Sequence, residues 1–248
     1  SNGDYYTSDS ADVQTGRNSR SGQGGAHLDD SVIAMGGVIR KLANAGCEVS
    51  VFCFGNGDEA YTKPGDSPKA VERFKRDAVR AHKILGVANF ECYDVPDFGV
   101  NASREFYQQC IRAIRQYKPD IIFGHWWNEY VQHHDMATIS RDAWNQAAWA
   151  CSADLGVQPH RASRYFHFEV NDPLPEPTHI VDITDTFADK MEAWKCFEDA
   201  HDHLGELDDA LEARARYHGS RVGVKYGEPF RQSFYLLETI HHVKELFQ

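Results

Sequence analysis

KPDIIFGHWWNEYVQHHD, residues 118–135, decides the fold: it is a short apolar strand that ends on a loop crowded with ligating side chains. Pro119 leads into Asp120–Gly124 (DIIFG), an apolar run bounded by turn-forming residues, the mark of a buried strand. The next eleven residues, His125–Asp135, carry three histidines and two acids. A helix is expected to follow over 135–155, carrying Trp144, Ala147, Ala148 and Trp149.

The same alternation extends on both sides. Upstream, a helix is expected over 31–45, where Val32, Met35, Val38, Ile39 and Leu42 recur at helical spacing and Gly46 closes the run. Strand 48–54 (EVSVFCF) and a glycine loop follow, then a charged helix over 67–85, a strand over 89–94 and a helix over 103–117. Downstream lies a strand over 164–170 (RYFHFEV). A proline-rich turn region (173–180) leads to a strand at HIVDI, and two charged helices split at Gly205 fill 184–218. Strands alternating with helices predict βαβ units. The expected fold is therefore α/β and Rossmann-like, a mostly parallel sheet with helices on both faces and its site at the carboxyl ends of the strands. Residues 1–25 stand apart: they hold one Val and no Leu, Ile or Phe, and are expected to be a polar, flexible N-terminal segment before a single domain over 26–248.

With 42% apolar and 25% charged residues, the chain of 248 is ordinary for a globular protein. Its formal net charge of −11 argues against a nucleic-acid partner and against docking to an anionic membrane surface. No apolar run approaches the roughly 20 residues that span a bilayer, and no leader is visible, so the default expectation is a cytoplasmic protein without a membrane span. The six cysteines form no C-x-x-C pair and are expected to be reduced, mostly buried thiols.

A second dense motif, His27-Leu28-Asp29-Asp30, sits directly before the first helix. One imidazole and two carboxylates can divide labour, part holding a metal and part staying free as a base. Equally, Asp-Asp before an apolar helix is a good N-cap, and the motif alone leaves both readings open. Two other histidine pairs, His201/His203 and His241/His242, lie in polar helical contexts and are expected to be solvated. There is no G-x-S-x-G for a serine nucleophile, and no G-x-G-x-x-G after a strand for a dinucleotide. Gly36-Gly37 inside the first helix implies close packing against the sheet or a ligand.

Taken in order, these segments resemble the LmbE/PIG-L-like N-acetylglucosaminyl deacetylases. AHLDDSVIAMGG is similar to that family's A-H-P-D-D signature, with Leu28 in place of proline. The resemblance continues through CEVSVFCFGNGDE, KRDAVRAHKILGV, VPDF, KPDIIFGHWWNEYVQHHD, HIVDITDTFADKMEAW and GVKYGEPFR, about residues 26 to 231. It implies a Zn²⁺ ion on His27, Asp30 and His134, with Asp29 as the general base. It also implies that Arg76 and Asp97 contact the sugar or shape its pocket. A gap-free alignment from His125-Trp126 puts Val131 where the family has a catalytic histidine; either His133 takes over that role from a shifted position or the oxyanion is left with zinc alone. The implied activity is zinc-dependent hydrolysis of an N-acetyl group on a small amino-sugar substrate, in a family where homo-oligomers occur. A weakly active or non-catalytic metal- or sugar-binding relative and an amidase for another amide are the alternatives. The family also begins with an apolar strand before A-H-P-D-D. Here that place holds RNSRSGQGG (17–25), so the first strand is expected to be degenerate or replaced.

Overall fold

The computed structural model describes residues 19–61, 63, 65, 67–198 and 207–235. In chain order the elements are β1 (Arg20–Gly25), α1 (Asp30–Asn44), β2 (Glu48–Gly55), α2 (Ser67–Leu85), β3 (Asn89–Val95), α3 (Arg104–Tyr117), β4 (Ile121–His125), α4 (Val131–Ala147), β5 (Arg164–Phe168), β6 (His179–Asp182), α5 (Phe187–Trp194), α6 (Leu207–Ser220) and β7 (Gly227–Gln232). They build one seven-stranded sheet in the order β3-β2-β1-β4-β5-β7-β6. The first five strands of that order are parallel, and β7 runs antiparallel to both β5 and β6. This is the α/β, mostly parallel sheet expected from the alternation. Two apolar clusters cover its faces, one around α1, α2 and α5 with Val49, Val51 and Phe123, the other around α3 and α4 with Phe52 and Ile122.

The N-terminal expectation needs correction. Residues 20–25 are neither a flexible segment nor a missing strand: RSGQGG is the central strand, hydrogen-bonded to β2 on one side and β4 on the other. A central parallel strand is fixed by its backbone, and both flanks here satisfy it. Its glycines let neighbours close in. A Cβ at Gly24 would stand 3.0 Å from both Met136 Cε and Phe52 Cζ, and one at Gly22 would stand 3.2 Å from Pro119. Apolar content is the wrong criterion because the flanking Phe, Val and Met side chains cover this strand. The polar residues leave a trace, since the Ser21 hydroxyl and both ends of the Gln23 amide are buried without a partner among the described residues.

Three further differences concern helices and the last strand. α4 begins at Val131, four residues before the expected start, and ends at Ala147 rather than 155. Its end is fixed by the buried Arg115 guanidinium, which donates to the carbonyls of Ala147, Trp149, Cys151 and Ser152 and so satisfies the orphan acceptors of the last turn and beyond. β7 (GEPFRQ) is a strand that the sequence pattern does not announce, because Gly227 and Pro229 break the β pattern. The split expected at Gly205 and the pairs His201/His203 and His241/His242 lie outside the described residues.

α1 is broken inside. Met35 has φ −144° and ψ 24°, outside helical geometry, which frees backbone groups on both sides. A buried ion pair takes them up. Glu228 accepts from Gly37 N–H (3.1 Å) and Val38 N–H (2.8 Å), while Lys190 Nζ donates to Ile33 O (2.8 Å) and to Glu228 Oε1 (2.6 Å). Gly36 and Gly37 therefore pack against the 183–190 segment, not against a ligand: Cβ atoms there would meet Lys190 at 3.0 Å and Ile183 at 2.7 Å. Among the cysteines Cys53, Cys110 and Cys196 are buried, Cys47 and Cys92 are half-buried and Cys151 is exposed; all are free.

Candidate active site

The sheet order reverses direction between β1 and β4, the switch point at which doubly wound sheets open a crevice. Both dense motifs emerge there. β1 hands the chain to Ala26–Asp30, and β4 ends on His125 and passes through Trp126–Tyr130 into α4.

From the first loop come His27, Asp29 and Asp30. Asp30 Oδ2 accepts the His27 backbone N–H at 2.7 Å, which ties the loop to the helix start. Asp29 is the N-cap residue of α1 but makes no side-chain cap hydrogen bond, so capping does not account for its carboxylate. Asp29 is 8% exposed and lines a cavity of about 340 Å³ together with His27, Asp30, Asp97, Tyr130 and His133.

From the second loop and α4 comes His133. Its Nε2 lies 3.2 Å from His27 Nδ1 and 3.3 Å from Asp30 Oδ1, and its Nδ1 is hydrogen-bonded to Glu129 Oε2. Glu129 is fixed in turn through its other oxygen, which accepts Val170 N–H (2.8 Å) and Asn171 N–H (3.2 Å) at the end of β5. A carboxylate behind an imidazole whose other nitrogen faces the site is the arrangement that orients a metal-binding histidine. His27, Asp30 and His133 could hold a metal ion, with their ligand atoms within 4.8 Å of one another. Two imidazole nitrogens and one carboxylate, turned on each other in a buried place, are a donor set that fits a divalent cation of zinc type with an open position.

Charge is polarised across this group. Burial would raise the Asp30 carboxyl, but His133, His27 and His125 hold it well below the usual range. Burial would lower His133, yet Asp30 and Glu129 hold it up at about 9. His27 is likewise raised, Asp30 outweighing burial. Asp29 goes the other way: burial, then the charge of Asp30, push it up to about 6. Of two adjacent carboxylates one is held ionised and the other can exchange a proton near neutrality, the division that acid–base work needs.

The remaining expected residues sort by position. Asp97 lines the cavity, but its oxygens accept Gly57 N–H (3.2 Å) and Glu59 N–H (3.3 Å), so it shapes the wall. Arg76 does not reach the cavity; it lies on the exposed side of α2 and binds Asp77 (2.9 and 3.1 Å). His134, expected as the third ligand, is not brought to His27 and Asp30. His133 is, because α4 already runs at these positions and consecutive residues of a helix point about 100° apart. Val131 is 62% exposed and carries no polar group. Sequence reasoning misses Glu129, Tyr130 and Gln132 as site residues. For Glu129 a signal exists in its i, i+4 spacing to His133.

Residues 25–144 match the family model PIG-L, GlcNAc-PI de-N-acetylase. The chain is 26% identical over 217 residues to a diacetylchitobiose deacetylase of Thermococcus kodakarensis, covering 83% of this chain and 79% of that protein. It is 25% identical over 191 residues to a 4-oxalmesaconate hydratase of Pseudomonas putida, covering 73% of each. Among solved structures, the N,N'-diacetylchitobiose deacetylase from Pyrococcus horikoshii in complex with an inhibitor superposes with a TM-score of 0.80 at 24% identity, covering 90% of this chain and 87% of that one.

Proposed function

We propose that the chain, whose residues 25–144 match the PIG-L family, hydrolyses the N-acetyl group of a GlcNAc-type sugar, releasing acetate and a free amine. The observation that carries this reading is the meeting of His27, Asp30 and His133 in one cavity with Asp29, an N-cap residue whose carboxylate makes no cap hydrogen bond. The three would hold Zn²⁺, which when bound polarises a carbonyl and lowers the pKa of water. Asp30 would supply the negative charge and the two imidazoles the neutral donors, the bound ion displacing the proton that Asp30 and Glu129 otherwise hold on His133. Glu129 keeps His133 Nδ1 protonated and turns Nε2 to the site. Asp29 takes a proton from the attacking water and returns it to the leaving amine, so that water and amide become acid and amine. Asp97 and Asn171 line the walls around the sugar.

Acetate release from N,N'-diacetylchitobiose and from N-acetylglucosamine, measured on metal-depleted and zinc-restored protein, tests this. Activity that appears only with zinc and falls by about 10³ or more in Asp29→Asn is expected, with metal content retained in the variant. No acetate release from any N-acetylated amino sugar by zinc-loaded protein would sink the proposal. The similarity to the hydratase favours a second reading, in which the same centre adds water to a carbon–carbon double bond of an unsaturated carboxylic acid. Loss of an enoate's ultraviolet absorbance without acetate release would select it.

A further inference from the structure

The amide-hydrolysis reading leaves one chemical requirement unfilled. Charge develops on the carbonyl oxygen as water adds, and a donor aimed at that oxygen is usually among the largest single contributions to the rate. The position where the resemblance expects a histidine is Val131, exposed and apolar. His133, the side chain expected to take over, is committed to Asp30 and Glu129. His125 is fully buried beneath the cluster, where its Nε2 accepts the Ala26 N–H.

We propose that the Tyr130 hydroxyl is the donor that stabilises the substrate's carbonyl oxygen in the transition state. Tyr130 is the N-cap residue of α4, and its extended backbone swings the ring across the cavity instead of along the helix. Its ring is stacked on His27 (interplanar angle 11°) and stands 4.3 Å from the His133 ring, centroid to centroid. The hydroxyl oxygen lies 3.1 Å from His27 Nδ1, the atom that also faces Asp30 and His133. The phenol thus lines the same cavity as the ligand cluster, its hydroxyl within 3.1 Å of both His27 ring nitrogens, within reach of a carbonyl oxygen that would bind there. In the reaction the O–H donates a hydrogen bond, shares no electron pair and transfers no proton. Gln132, buried at the same wall with its Oε1 unpartnered among the described residues, is the competing donor through its amide nitrogen.

This inference rests on amide hydrolysis being the reaction, and the test separates the two. Zinc-loaded wild type and Asp29→Asn report on the reaction itself. Tyr130→Phe is then compared with Gln132→Leu for kcat, KM, zinc content and calorimetric binding of a tetrahedral methylphosphonamidate analogue of the substrate. Tyr130→Phe should bind one zinc, keep KM within about threefold, lose about a hundredfold in kcat and bind the tetrahedral analogue correspondingly more weakly. A Tyr130→Phe protein within twofold of wild type in kcat and analogue binding overturns the proposal. So does loss of zinc in Tyr130→Phe, or a kcat loss carried wholly by Gln132→Leu.

Discussion

Individual side chains in this site are defined less by type than by what stands behind them. His133 and His134 are adjacent and chemically identical, yet only His133 has Glu129 at its back and Asp30 at its front. Glu129→Gln keeps the shape but weakens the charge that orients the imidazole. Metal affinity, measured by competition with a chromophoric chelator, should fall about ten- to hundredfold with the fold intact by circular dichroism. An unchanged affinity would mean that His133 is held by packing alone. The first loop is legible in the sequence because His27, Asp29 and Asp30 are contiguous. The second is not, because choosing between neighbouring histidines needs the helix start to within one residue, and Tyr130 carries no strong cap signal.

At the scale of elements, β1 and α1 show how position overrides composition. The strand-helix alternation is readable from Ile121, Val49 and their neighbours; β1 is not, because its burial is imposed by β2 and β4. That predicts a gain. Gln23 has both amide ends buried and unpartnered among the described residues, so Gln23→Met, close in volume, should raise stability by about 1–3 kcal/mol and lift the thermal midpoint by several degrees. A lower midpoint would mean that a buried water completes the amide's hydrogen bonds. The break in α1 predicts a loss. Lys190→Met leaves Glu228 charged, buried and short of its cation, which should cost about 3–5 kcal/mol in urea denaturation. The double variant Lys190→Met/Glu228→Gln should recover part of that, since the uncompensated charge is gone; equal losses in single and double variants would refute the charge argument.

For the molecule as a whole, acid stability should hinge on a histidine outside the candidate site's cavity. His82 is buried, donates Nδ1–H to Ala78 O (2.7 Å) and accepts the Ser31 hydroxyl at Nε2 (2.7 Å). Burial lowers its pKa to about 4. The unfolded chain takes up that proton near 6.5, so between the two values the unfolded state binds more protons. Its contribution to stability is full above about pH 6.5 and fades as pH falls towards 4, about 3 kcal/mol in all. His82→Gln should flatten the thermal midpoint against pH over that window. An unchanged slope would assign the acid sensitivity elsewhere.

The glycine-rich central strand has a consequence in time. β1 has little apolar surface with which to seed its own collapse, and one of its partners, β4, lies far along the chain. Closing that loop is entropically expensive until β2, β4 and their helices already offer a slot. β1 should therefore enter late, after the folding barrier, carrying His27, Asp29 and Asp30 with it. Crowding the space around Gly24 with alanine should then speed unfolding while leaving the refolding rate nearly untouched. On this order of events the rest of the sheet is assembled before the ligand cluster is complete, and the reactive centre is the last part of the molecule to exist.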